Sequence, residues 1–154
     1  MTLTGLAVRV RASILAMLAG WLTAFLATMP MQVFQIVQNN LGGLRSLLWS
    51  LAAGMYVWLI WTLIIAAGGW LLGCVPAVLV IPEKWLLRRR RWVLAASAIM
   101  ACAAVMTLTR TWRFFSPDYT FHPWLFSLYT LLLLVFAVVT AAAYLRLIGR
   151  EAGR

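Results

Sequence analysis

The sequence predicts an all-α integral membrane protein. It reads as one membrane domain over residues 1–154, a bundle of four transmembrane helices with both termini on the cytoplasmic side. Three observations lead there. Residues 46–82 carry no charged side chain and run into the densest positive cluster of the chain, Lys84 with Arg88, Arg89, Arg90 and Arg91; a bilayer tolerates so long an apolar run, and its cytoplasmic face favours the charge that follows. With 65% hydrophobic and 10% charged residues, the chain has more apolar surface than a globule of this length can bury. Its basic residues, finally, are not spread over a polar domain as nucleic-acid binding would require, but gather at the edges of apolar segments.

The first crossing is expected over about residues 12–29, an uncharged run preceded by Arg9 and Arg11 and long enough at about 1.5 Å per residue to span the hydrocarbon. No A-x-A pattern marks a cleavable signal peptide. Polarity then rises without charge. Gln32, Gln35 and Gln38 fall three apart with Val33, Phe34, Ile36 and Val37 between them, which predicts a short amphipathic segment on the outer surface, closed by Asn39-Asn40 and Gly42-Gly43.

The second crossing is expected over about residues 48–70. Tryptophans collect at membrane interfaces, and Trp49 and Trp70 lie 21 residues apart, about 31 Å along a helix. Similar intervals separate Trp92 from Trp112 and Trp124 from Tyr144, bracketing a third crossing over about 92–109 and a fourth over about 124–145. Gly68-Gly69 stands where the second crossing meets the inner interface, and Gly73 and Pro76 weaken its continuation. Residues 71–82 are therefore expected to form an interfacial or shallow re-entrant segment leading into the basic loop at about 83–91; a single long helix kinked near Gly73 and Pro76 is the competing geometry. Ten basic residues (Arg9, Arg11, Lys84, Arg88, Arg89, Arg90, Arg91, Arg146, Arg150, Arg154) then lie on one side and three (Arg45, Arg110, Arg113) on the other. That bias puts both termini in the cytoplasm, and the bacterial inner membrane is the expected location.

Transmembrane helices pack where small residues let backbones approach. Ala12, Ala16, Gly20, Ala24 and Thr28 recur every four residues in the first crossing, Ser46, Ser50 and Gly54 open the second, and Gly69 with Gly73 makes a GxxxG at its inner end. The third is rich in Ala, Ser and Cys, the fourth in Leu, Val and Phe. Crossings one and three are thus expected at the centre, with the outer half of crossing four facing lipid.

Chemistry is sparse. The three carboxylates, Glu83, Asp118 and Glu151, all fall outside the crossings, so no intramembrane acid is available to carry a proton or sodium ion. Small multidrug exporters depend on such a carboxylate, and the resemblance to them stops at the helix count. Cys74 and Cys102 form no CxxC pair and His122 is the single histidine, so neither a metal site, a disulfide framework nor a bis-histidine haem is indicated and no cofactor is expected.

One polar constellation, Arg110, Arg113, Asp118 and His122 with Tyr119, occupies the outer loop. Two arginines there can clamp a phosphate or carboxylate while His122 exchanges a proton, although anchoring and an aromatic belt explain the same residues more simply. Lys84, Arg88, Arg89, Arg90 and Arg91 anchor the topology and attract anionic lipid. The reading that results is a non-enzymatic accessory or assembly subunit working through helix packing and a basic cytoplasmic face, with a membrane-protein partner or a second copy. A small oligomeric channel or transporter component, its path lined by Tyr56, Thr62, Ser97 and Thr107, is the alternative, followed by an enzyme acting on lipid head groups through the outer loop.

Overall fold

A computed structural model describes residues 3–40, 42–115 and 123–152. Among them nearly all of the chain is helical: α1 (Leu3–Asn39), α2 (Leu44–Gly69), a π-helical turn (Trp70–Cys74), α3 (Val75–Val80), α4 (Glu83–Arg88), α5 (Arg90–Phe115) and α6 (Pro123–Ala152). Four continuous stretches are long and apolar enough to cross a membrane, Gly5–Asn39, Leu44–Val80, Arg90–Thr111 and Phe126–Arg150. The chain is an integral membrane protein built as a helix bundle.

Two segments differ from expectation. Residues 30–39 do not form a separate surface helix but continue α1 through Pro30. Packing explains the continuation, because Ile36 lies against Gly54 of α2, Met31 joins the core, and the Asn40 side-chain amide donates to Ser50 Oγ at 3.0 Å. A proline that removes one backbone bond is tolerated when neighbouring helices hold both sides of it. Residues 71–80, likewise, do not break away at Gly68-Gly69. The helix widens instead: the Val75 N–H donates to the Trp70 carbonyl, five residues back, and Pro76 then enters α3 in its first turn, where its missing N–H leaves no gap. The second crossing is therefore one continuous helical stretch of 37 residues from Leu44 to Val80, widened at the π turn. It ends at Ile81, whose extended backbone (φ −89°, ψ 126°) is the conformation a following proline favours.

The order of the bundle also corrects the sequence reading. α6, not the third crossing, is central together with α1: 33% of the most apolar stretch of each is buried, against 11% for Leu44–Val80 and for α5. α6 makes its broadest contact with α1 and its next with α5, while the long second helix leans on α1. The reason lies in shape. Leu128, Leu132 and Phe136 of α6, all buried and four residues apart, share one core with Ala24 of α1 and with Trp58 and Ala66 of α2. Small residues thus receive large ones, whereas Ala95, Ala96, Ala103 and Ala104 of α5 stay exposed.

Candidate functional site

The buried face of α1 carries Ala12, Ala16, Gly20, Ala24 and Thr28, every one of them buried. At Gly20 the approach to α6 is closest. A Cβ there would lie 2.9 Å from the Phe136 carbonyl oxygen and 3.1 Å from Thr140 Cβ, and nearer still to Thr140 Oγ1. That hydroxyl is the one buried side-chain polar atom without a hydrogen-bond partner among the described residues. Lying against the α1 backbone, it leaves no room for any side chain at position 20.

Polar groups on and around this face are spent on neighbouring helices. Trp58 Nε1 of α2 donates to Thr28 Oγ1 of α1 at 3.3 Å, and Trp21 Nε1 of α1 donates to Thr62 Oγ1 of α2 at 3.2 Å. Trp70 Nε1, in the π turn, donates to Ser13 Oγ at 3.3 Å. In all three the hydroxyl sends its own proton to a carbonyl of its own helix, at Ala24, Leu59 and Val10 respectively, and so keeps a lone pair free for the indole. Such bonds between transmembrane helices are each worth about 0.6 kcal/mol on average.

At the end of the bundle where α1 begins, Arg9 is drawn inside at 6% exposure. Its Nη2 donates to the Ile81 carbonyl at 2.7 Å and its Nε donates to the Tyr144 hydroxyl at 3.3 Å. Ile81 closes the long second helix, so a cation meets the negative end of that helix dipole; Pro82 follows, and it has no N–H to offer. One guanidinium therefore fastens α1, the α3–α4 corner and α6. Below it Ala12, Ala16, Val78, Leu86, Tyr144, Leu145 and Ile148 form a core of their own.

The positions singled out from the sequence separate into distinct environments. Gly54 is half-buried, with Ile36 Cδ1 2.6 Å from where its Cβ would stand; Gly69 is exposed at the edge of the Phe136 ring; Gly73 is exposed with open space around it. Lys84, Arg88, Arg89, Arg90 and Arg91 are all exposed, and the Arg89 guanidinium lies 5.5 Å from the Trp85 ring centroid. Arg110 is exposed, whereas Asp118, His122 and the side chain of Arg113 lie outside the described residues. Tyr56, Thr62, Ser97 and Thr107 are not brought together: Thr62 is buried, Ser97 is half-buried and bonded to its own helix at Leu94, and Tyr56 and Thr107 face outward. Among the described residues no group of three or more His, Cys, Asp and Glu side chains is placed to hold a metal ion, and both cysteines are free.

Two features of the site are missing from the sequence reading. Sequence groups Arg9 with Arg11 as an anchor, yet Arg11 is exposed and Arg9 is buried; the signal is its position three residues before Ala12 and seven before Ala16, on the face of the small-residue stripe. Trp70 reads as an interface marker, and its spacing from Ser13 in the sequence carries no hint of their bond. The chain matches no protein-family model, no curated protein and no solved structure.

Proposed function

We propose that this chain is a non-enzymatic accessory or assembly subunit of a bacterial inner membrane, with both termini and the 83–91 loop in the cytoplasm, and that it acts by presenting helix faces to a membrane-protein partner or a second copy. One observation carries the reading: the indoles and the arginine that bond inside the bundle are spent on holding helices to each other. The Trp58–Thr28, Trp21–Thr62 and Trp70–Ser13 bonds and the Arg9 clasp are of this kind. What remains open is surface, including Ile99 and Met100 on α5 and Val57, Trp61 and Ile64 on α2. A bonded core flanked by two sparsely buried helices suits a subunit that stabilises or positions something else. The basic loop adds general attraction for anionic lipid.

The channel reading needs hydroxyls sharing a path, and Tyr56, Thr62, Ser97 and Thr107 point to different surroundings. Purifying the tagged chain from its native membrane in mild detergent tests the proposal. A membrane protein recovered in fixed stoichiometry, whose abundance falls when the chain is deleted, is the expected result. A chain that purifies alone and conducts ions or solutes in reconstituted vesicles would overturn it.

A further inference from the structure

The basic end of the bundle is more than a run of charges. α4 is fastened to α6: Leu86 is 4% exposed in the core with Leu145 and Ile148, and Leu87 lies against Gly149, where a Cβ would stand 3.6 Å from Leu87 Cδ2. With that face held down, Lys84, Arg88 and Arg89 are left exposed on the same short helix and its cap. Gly149 stands between Arg146 and Arg150 on α6, both exposed, so the Leu87 contact holds together the two segments that carry these cations. No ion pair links any of them to Glu83 or to another carboxylate among the described residues. Five exposed cations thus ride on two helices packed against each other.

We infer that this platform is a discrete site for a phospholipid carrying two phosphates. Two features select this ligand over a soluble anion or an acidic protein. Apolar surface adjoins the cations directly, since Trp85 is 44% and Val80 78% exposed, and only an amphiphile satisfies hydrocarbon and charge together. The Arg89 guanidinium, moreover, lies over the Trp85 ring at 5.5 Å from its centroid, a contact that holds the cation beside apolar surface, and a guanidinium can bond phosphate oxygens in pairs. Cations divided between two helices match two phosphates on one molecule better than one. The inference rests on the reading of this end as lipid-attracting.

The test offers the detergent-purified chain equal-charge amounts of cardiolipin, with two phosphates, and phosphatidylglycerol, with one, and counts retained lipids by native mass spectrometry. Cardiolipin should be retained about tenfold better at equal charge. Retention should fall about tenfold in Arg88→Gln/Arg89→Gln and in Arg146→Gln/Arg150→Gln, while Arg45→Gln/Arg110→Gln keeps it unchanged. Equal retention of the two lipids overturns the discrete site and leaves the general attraction standing; retention of neither overturns both. Displacement of cardiolipin by an equal concentration of inorganic pyrophosphate, or tighter binding of polyglutamate, would also overturn the assignment, because the acyl chains would then contribute nothing. The competition in the unmodified chain decides the matter even where a variant fails to insert.

Discussion

Replacing Gly20 with alanine should destabilise the bundle where the same change at Gly73 does not, and the geometry sets the size of the difference. The new Cβ at position 20 would stand 2.9 Å from a backbone oxygen of Phe136. Once Thr140 Oγ1, which lies nearer still, has turned to another rotamer, restoring ordinary contact with that oxygen requires α1 and α6 to part by about 0.5 Å, and a gap of that size along a packed seam forfeits roughly a quarter of each dispersion contact it opens. Overpacking of this kind costs about 1–3 kcal/mol. Alanine returns up to about 1 kcal/mol through its better helix propensity, so a net loss of up to about 2 kcal/mol is expected when that return is full. Gly73 has nothing within 4 Å of its Cβ position, and there the propensity gain of up to about 1 kcal/mol stands alone. Gly69, with only the Phe136 ring edge at 3.3 Å, should fall near neutral. A cycle with Thr140→Ala sharpens the test. Removing Oγ1 deletes both an unpaired buried hydroxyl and the nearest obstacle to the methyl introduced at position 20, so the double variant should recover part of the single loss. Unfolding in mixed detergent micelles provides the measurement. Equal stability of the Gly20→Ala and Gly73→Ala variants would refute the α1–α6 seam as the packing centre.

Substituting Arg9 with alanine strands the Ile81 carbonyl and the Tyr144 hydroxyl; a loss of about 2–3 kcal/mol is expected in the same assay, and Arg9→Lys should recover only part of it because an ammonium lacks the planar fork that reaches both acceptors. Full recovery by lysine would show that charge alone matters. Cysteines placed at Lys84, which is exposed, and at Arg154 should react with a membrane-impermeant thiol reagent from the cytoplasmic side only, and labelling of either from outside would refute the proposed orientation. His122→Ala should leave the cellular role intact, whereas neutralising Arg88, Arg89, Arg90 and Arg91 together should impair it, with insertion checked separately. A correctly inserted His122 variant that alone loses function would turn attention to the outer loop.

Crossings and their number are legible because hydrocarbon imposes one rule, a long uncharged run, on every segment that spans it. The buried stripe on α1 is legible for a similar reason, since Ala12, Ala16, Gly20, Ala24 and Thr28 share a face by helical geometry alone. What faces that stripe is not. Pairing small residues with small ones favours α5, yet the stripe receives Leu128, Leu132 and Phe136 of α6, and lipid is as apolar as leucine, so hydropathy cannot tell a lipid-facing side chain from a knob that fills a groove. Pro76 reads as weakening the helix, because sequence shows the missing N–H and not the π turn that accommodates it. The inward turn of Arg9 depends on a carbonyl 72 positions away in the chain.

Photo-cross-linking in native membranes tests the subunit reading most directly. A photoreactive residue at Ile99 or Met100, on the uncovered face of α5, should form an adduct of discrete mass with another membrane protein or with a second copy of the chain, while the same probe at Leu128, buried between helices, should cross-link only within the chain. Adducts to lipid alone from both α5 positions, and from Val57 and Ile64 on α2, would contradict it.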